Sequence, residues 1–185
     1  MIESMNYQMD SPRIAPGSRR DVGLLIYGLS WAAGRISGTG PLNLFMTIGR
    51  HRKLFWGWIF FAGLLMPKGR LSRRQTELTI LRVAEMSGCV YEQHHHAYLA
   101  KRAGFSDEEI ERVAKGSADP NWNPCDRDLL IAVEQLFANE ALGELEWDLL
   151  RRLLSDRQII ELVMLVGHYR MLATTIKVLD IQPEK

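Results

Sequence analysis

Three copies of one helix-start signal constrain the fold of this chain more than any other feature. A serine followed three residues later by glutamine or glutamate occurs at Ser72, Ser106 and Ser155. This capping box satisfies free backbone amides in the first turn of a helix, because the serine and the later side chain each bind the backbone of the other. No segment shows the convincing alternation of apolar and polar residues that indicates a strand. The sequence therefore predicts an all-α fold.

Glycine marks the ends of two adjacent predicted helices. The helix that begins at Ser72 is expected to end at Ser87-Gly88, and the next helix, from Cys89, is stopped by Gly104. Together the two helices predict a central hairpin. Further helices are predicted over residues 107–115, 124–139, 144–153 and 156–178, with two or three short ones between residues 22 and 66. The expected architecture is a bundle of about eight helices around the hairpin.

The length of 185 residues suits one domain with one core. Residues 1–20 are polar and contain Pro12, Pro16 and Gly17, so we predict an N-terminal arm, followed by a single domain over residues 21–185. The chain has 23 Lys and Arg against 22 Asp and Glu. This near-neutral balance gives no indication of a nucleic-acid partner.

Two features of the sequence bear on its compartment. Cys89 and Cys125 are too few for the disulfide framework of a small secreted domain, and the N-terminus lacks the basic and apolar regions of a signal peptide. The most apolar run, residues 54–66, has 13 residues, whereas a membrane-spanning helix needs about 20. We therefore predict a cytoplasmic protein without a membrane partner, in which this run is a core or subunit-interface helix.

Three reactive side chains share one face of the second hairpin helix. At about 100° per residue, Cys89, Glu92 and His96 fall within about 60° of each other. His94 and His95 point in other directions, so the run of three histidines cannot converge on one metal ion. We predict neither a metal nor another cofactor.

The position of Cys89 just after Ser87-Gly88 favours a reactive thiol, because the amides and dipole at a helix N-terminus stabilise a thiolate. An ionised Glu92 one turn away acts in the opposite direction unless it is protonated or paired with His96. The three groups are therefore expected to titrate together. The alternative is that Cys89 is a small buried hydrophobe beside an ordinary Glu92–His96 pair.

Glu77 is out of pattern, because it lies on the apolar face of the preceding helix. A buried carboxylate is costly unless it is paired, and burial raises its pKa, as a proton shuttle near neutral pH requires. On the hairpin geometry Glu77 faces the Cys89 helix, which favours a site residue. The alternative is a salt bridge to Arg73, Arg74 or Arg82.

Four segments together resemble the core of the carboxymuconolactone decarboxylase family: Glu77-Leu-x-Ile-Leu-Arg-Val-Ala, Gly88-Cys-Val-Tyr-Glu92, His96-x-x-x-Ala100 and Gly104-Phe-Ser-Asp-Glu-Glu-Ile110. The alkylhydroperoxidase D-like members of that family have a glutamate twelve residues before a Cys-x-x-Cys motif and a histidine four residues after it. Glu77, Cys89 and His96 match those positions, whereas Glu92 stands in place of the second cysteine. The internal disulfide of the two-cysteine members therefore cannot form here.

The resemblance implies an all-α, alkylhydroperoxidase D-like fold in a homo-oligomer, as a dimer, trimer or hexamer. It leads to a first hypothesis of peroxiredoxin-type activity, in which a hydroperoxide oxidises Cys89, His96 with Glu77 and Glu92 relays the proton, and an external thiol completes the cycle. The alternative enzyme is a decarboxylase-like lyase that uses acid–base catalysis on a small carboxylated lactone. A third hypothesis is a non-catalytic oligomeric scaffold.

Three further residues are candidates for lining a pocket near this site. His168 and Glu161 lie seven residues apart on one face of the last helix, and Tyr91 lies within the cysteine motif. A satisfied core pair is the alternative for His168 and Glu161, and packing is the alternative for Tyr91. Cys125 is expected to have a structural role.

Overall fold

The computed structural model describes residues 11–36, 38–66 and 68–184, and over these residues helices are the only regular secondary structure, without a strand. Ten α-helices and one 3-10 helix, Val113–Ala118, follow in order. The α-helices are α1 Arg19–Val22, α2 Leu24–Ile36, α3 Asn43–Ile48, α4 Arg52–Leu65, α5 Arg73–Met86, α6 Val90–Arg102, α7 Asp107–Arg112, α8 Pro124–Asn139, α9 Glu144–Leu153 and α10 Asp156–Leu179. The all-α prediction is confirmed, with more helices than the eight expected because the N-terminal part contains four.

All three predicted capping boxes are present, and they begin α5, α7 and α10. In α5, the Ser72 hydroxyl accepts a hydrogen bond from the Gln75 amide at 3.2 Å, and the Gln75 side chain accepts one from the Ser72 amide at 2.9 Å. A fourth box, Ser18 with Asp21, begins the four-residue α1. It was not predicted because aspartate replaces the glutamate or glutamine of the usual pattern.

The helix predicted over residues 107–115 was wrong in its second half. Helix α7 ends at Arg112, and a 3-10 segment interrupted at Gly116 follows. Gly116 has a φ of 65°, and a Cβ atom there would collide with the side chains of Arg82 and Glu134. Its carbonyl accepts a hydrogen bond from the Trp122 indole at 3.0 Å. Contacts with distant residues, rather than local propensity, set this conformation.

Helices α5 and α10 form the centre of the bundle. Helix α5 packs against α6, α8 and α10 and is buried on most of its circumference. Helix α10 is long and apolar enough, by length and composition alone, to cross a membrane, but half of its apolar window is buried within the bundle. Nine of its residues are buried, which is the pattern of a core helix.

The N-terminal helices form a second, smaller layer. Val22, Ile26, Met46 and Phe55 make a small apolar cluster of their own, and α4 also packs against α10. The apolar run of residues 54–66 is therefore largely helix α4, which buries Phe55 but leaves other large apolar side chains exposed. Of the predicted arm, residues 1–10 lie outside the described residues, whereas residues 11–17 carry no helix.

We expect the core around α5 to dominate stability. Leu78 is fully buried on this helix, so Leu78→Ala removes buried methyl groups and leaves a cavity that should lower the free energy of unfolding by about 3 kcal/mol. Leu145→Ala is a matched control, because this leucine of α9 is 77% exposed and should change stability by less than about 0.5 kcal/mol. Urea denaturation followed by circular dichroism measures both. Similar losses in the two variants would contradict the assignment of the core.

Candidate active site

The tight turn between α5 and α6 positions the candidate site. Gly88 adopts a φ of 58°, which glycine tolerates without strain. The next amide, of Cys89, donates to the Ala84 carbonyl at 2.9 Å. Cys89 is the N-cap residue of α6, so Glu92 and His96 follow on the first two turns of that helix. This hairpin brings α6 alongside Glu77, in the arrangement expected from the sequence.

His96 lies between two glutamates. Its Nδ1 atom is 2.8 Å from Glu77 Oε2, and its Nε2 atom is 3.3 Å from Glu92 Oε2. The other oxygen of Glu77 forms an ion pair with Arg73. Glu77, Glu92 and His96 are all buried, whereas the Arg73 side chain is 44% exposed. Two interpretations of Glu77 that the sequence left open are therefore both present, because this carboxylate pairs with an arginine and also contacts His96.

The two glutamates determine the protonation of His96. Burial by itself lowers the pKa of this histidine, but the hydrogen bonds and negative charges of Glu77 and Glu92 outweigh burial and raise the pKa to about 9. The imidazole is therefore protonated at neutral pH; Nδ1 donates a hydrogen bond to Glu77, and Nε2 lies at ion-pair distance from Glu92. Each carboxylate of the cluster therefore has a cationic partner, Arg73 and His96 for Glu77 and His96 for Glu92.

Cys89 does not have the reactive character that its position predicted. The side chain is buried, and burial raises the pKa of the thiol to about 11. Backbone hydrogen bonds from Glu92 and Tyr91 act in the opposite direction, as expected at a helix start, but they do not compensate for burial. In this conformation the burial of Cys89 favours the alternative that the sequence left open, a small buried hydrophobe. Cys125, expected to be structural, is exposed on the first turn of α8.

A cavity of about 400 Å³ lies beside the His96 cluster. Its walls are mostly apolar and come from α2, α3, α4, α6 and α10, and His96 and Glu92 belong to the lining. The lining also includes Tyr169, whose ring packs edge-to-face on His96 with centroids 5.1 Å apart. Cys89 and Glu77 are not among the residues that line it. Of the four residues of the predicted site, only His96 and Glu92 therefore line the cavity.

The three further pocket candidates separate in the structure. Tyr91 and His168 line the cavity. Glu161 does not, because its carboxylate accepts hydrogen bonds from the backbone amides of Arg70 at 2.6 Å and Leu71 at 3.0 Å. The prediction that Glu161 lines the pocket is wrong. Although Glu161 and His168 lie on one face of α10, they are two turns apart, and Glu161 contacts the segment that precedes α5 instead of the cavity.

A second polar group at the cavity wall was not predicted. Glu184 lies 2.6 Å from His95 Nε2 and accepts a hydrogen bond from the Tyr91 hydroxyl at 2.8 Å. Burial by itself raises the pKa of Glu184. The hydrogen bonds with His95, Tyr91 and the Asn43 amide have a larger and opposite effect, so the pKa lies below its ordinary value. His95 lines the same cavity, although its direction on the helical wheel separated it from His96. No local signal in the sequence connects Glu184 with α6.

Metal ligation receives no support from the parts of the chain that the structure describes. There, no group of three or more His, Cys, Asp or Glu side chains has an arrangement that could hold a metal ion. The polar residues of the site are engaged with each other instead, as carboxylate–imidazole and carboxylate–guanidinium pairs.

Residues 52–135 match the model of the carboxymuconolactone decarboxylase family. Comparison with curated protein sequences found no match. Among solved structures, an uncharacterized peroxidase-related protein from Ralstonia eutropha JMP134, described as an alkylhydroperoxidase AhpD core, has a TM-score of 0.79 at 14% identity over 93% of each chain. A peroxidase-related protein from Silicibacter sp. TM1040 has a TM-score of 0.76 at 15% identity over 95% of each chain. The debrominase Bmp8 has a TM-score of 0.75 at 18% identity, over 92% of this chain and 91% of that one.

We expect the pKa of His96 to depend on Glu77. Nuclear magnetic resonance of labelled histidine should show a titration midpoint near pH 9 in the wild type, and Glu77→Gln should lower this midpoint because one negative partner is lost. Glu85→Gln, on the same helix but outside the cluster, is the control. A wild-type midpoint at or below about 6.5 would contradict the assignment.

The same shift predicts how stability depends on pH. Folding raises the pKa of His96 from about 6.5, so the contribution of His96 to the free energy of unfolding is fully present below about pH 6.5 and is lost as the pH rises through about 9.

Proposed function

We propose that this chain, which matches the carboxymuconolactone decarboxylase family over residues 52–135 and has the alkylhydroperoxidase D-like fold, is an enzyme that transfers protons to and from a small substrate. The family resemblance drawn from the motif residues is confirmed by this match. The observation that carries the proposal is the position of His96 between Glu77 and Glu92 at the wall of an apolar cavity.

The three residues have distinct parts in this mechanism. Glu77, itself held by Arg73, fixes the orientation of the His96 ring through Nδ1. The Nε2 side of His96 and the Glu92 carboxylate belong to the cavity lining, so they are the groups that reach a substrate. A protonated His96 acts as the general acid and ionised Glu92 as the general base, and the 3.3 Å contact between them allows the proton to return. Such acid–base pairs contribute about 10² to 10⁴ in rate.

The cavity favours a small and largely apolar substrate. Its volume of about 400 Å³ lies at the small end of ligand pockets. In the same fold, a variant of the debrominase Bmp8 has been solved in complex with 2,3,4-tribromopyrrole, a compact ring compound. A carboxylated lactone, the substrate of the decarboxylase-like hypothesis, would require a cation, and the Arg73 guanidinium at the lining already pairs with Glu77.

Thiol-dependent peroxide reduction is the second candidate, and the position of Cys89 favours it. The thiol lies at the N-terminus of α6, where the nearby backbone amides of Tyr91 and Glu92 lower its pKa, and it stands one turn before the Glu92 side chain. In this reaction the thiolate attacks the hydroperoxide, the O–O bond breaks, and a sulfenic acid and an alcohol form. Two equivalents of an external thiol then reduce the sulfenic acid, which regenerates Cys89 and releases water and the disulfide of the external thiol. The Glu92 carboxylate accepts the proton that leaves the thiol, and this proton passes to the alkoxide oxygen that departs, which forms the alcohol. Because Cys89 is 1% exposed, this candidate requires the N-terminus of α6 to open.

Two substitutions distinguish these candidates. His96→Gln should lower proton-transfer activity by at least about 100-fold, whereas Cys89→Ala should retain it, because the thiol does not line the cavity. The assay is deuterium incorporation from D₂O into a panel of lactones and enolisable ketones, followed by mass spectrometry, and turnover of cumene hydroperoxide with dithiothreitol is measured in parallel. His94→Gln, exposed on the same helix, is the control. Peroxide turnover that Cys89→Ala abolishes, without any deuterium exchange by the wild type, would replace the first candidate with the second.

We also propose that copies of this chain assemble through the apolar face of α4. Phe60 is 71% exposed, and Leu54, Trp56 and Leu64 on the same helix are also exposed. Clusters of exposed apolar side chains are typical of association surfaces. Phe60→Glu should therefore reduce the molar mass measured by light scattering, while Leu145→Glu, on the equally exposed leucine of α9, should leave it unchanged. A monomeric wild type would contradict the proposal.

A further inference from the structure

Three side chains that line the cavity each carry a buried polar atom without a hydrogen-bond partner. These atoms are Trp58 Nε1, His168 Nδ1 and Glu92 Oε1. Across the described part of the chain, six buried side-chain nitrogen or oxygen atoms lack a partner, so half of them belong to the wall of this one cavity. Buried polar groups are nearly always paired in native proteins, because an unpaired one loses its bonds to water without replacement. Their concentration here indicates a ligand that supplies the missing partners.

The chemistry of the three atoms specifies what that ligand offers. The Trp58 indole can only donate a hydrogen bond, and an ionised Glu92 carboxylate can only accept one. Burial lowers the pKa of His168 and outweighs the opposing charge of Glu92. His168 is therefore neutral at pH 7, with one nitrogen that donates and one that accepts. A ligand that pairs with both Trp58 and Glu92 must present an acceptor and a donor hydrogen, and a hydroxyl group is the smallest neutral group that carries both.

Packing holds two of these groups in a fixed relation. The Trp58 and His168 rings lie nearly parallel, with an interplanar angle of 9° and centroids 6.4 Å apart. The ring of Phe61 packs against His168 at 5.4 Å. Since aromatic neighbours restrict both rings, the polar atoms are positioned before a ligand arrives, which reduces the entropic cost of binding.

The charges around the cavity disfavour an anionic ligand. Arg73 and protonated His96 already balance Glu77 and Glu92. A ligand carboxylate would add an unbalanced charge to an apolar cavity and would lie against the Glu92 carboxylate, where both desolvation and repulsion oppose binding. A neutral ligand avoids both costs.

We propose that Trp58, His168 and Glu92 form a subsite for the hydroxyl group of a neutral and otherwise apolar ligand, such as a phenol or an enol. The inference deepens the proposed function and rests on it, because it places the hydroxyl of the substrate against Glu92, the general base of that mechanism. The ligand's O–H donates to Glu92, and its oxygen accepts from the Trp58 indole or from His168.

Equilibrium binding of three related probes tests this subsite without requiring turnover. The probes are 2-naphthol, 2-methoxynaphthalene, which lacks the donor hydrogen, and 2-naphthoate, which is anionic. Isothermal titration of the full chain at pH 7 should show 2-naphthol binding about tenfold more tightly than either of the other two, since each loses at least one hydrogen bond. Equal affinities for 2-naphthol and 2-methoxynaphthalene would overturn the proposal and leave water as the partner of these atoms.

Substitutions at His168 provide a second readout. His168→Phe keeps an aromatic ring but removes the unpaired Nδ1 atom, so it should weaken 2-naphthol binding about tenfold and raise the melting temperature of the ligand-free protein. His168→Asn restores a donor and an acceptor near the Nδ1 position and should recover part of the affinity. His94→Phe, outside the cavity, is the control and should not change binding. Unchanged 2-naphthol affinity in His168→Phe would overturn the subsite, whereas full activity in His96→Gln would overturn only the proton relay.

Discussion

The buried contact between Glu77 and His96 is the constraint on which the rest of the site depends. It joins α5 to α6 at 2.8 Å, and both side chains are almost fully excluded from solvent. Neither charge is tolerable there alone, because an unpaired buried charge costs several kcal/mol, on the order of the stability of a whole domain. Arg73 on one side and Glu92 on the other complete the compensation. A set of groups this interdependent holds the ring of His96 in one orientation.

This arrangement changes the expected chemistry of the motif. The Cys-x-x-Cys motif that this chain resembles has a second cysteine at the position of Glu92. The resemblance therefore suggested a redox site. In the structure, the carboxylate at that position extends the proton-bearing cluster into the cavity, while the remaining thiol lies behind it in the apolar core. Burial raises the pKa of the Cys89 thiol and withdraws it from reaction in this conformation. The proposed proton transfer therefore rests on the residues of the motif that line the cavity.

Only part of the cavity wall comes from the segment that matches the family model. The polar wall, with Glu92 and His96, lies inside the matched segment of residues 52–135. Much of the apolar wall comes from α2 and α3, which precede that segment, and from α10, which follows it. His168 belongs to this outer group. The cavity therefore combines side chains from inside and outside the matched segment, so the match to the family does not cover all of its wall.

The sequence alone determined the features that depend on neighbouring residues. Capping boxes at Ser72, Ser106 and Ser155 satisfy amides within one turn, so they predicted three helix starts, and the helical period placed Glu92 and His96 on one face. The fold class and the family resemblance followed from such local patterns. Only the tertiary structure decided the burial of Cys89, the bond between His95 and Glu184, the diversion of Glu161 to the backbone before α5, and the end of α7. Each of these depends on residues brought together from distant positions, and desolvation and pairing energies exist only once the chain has packed.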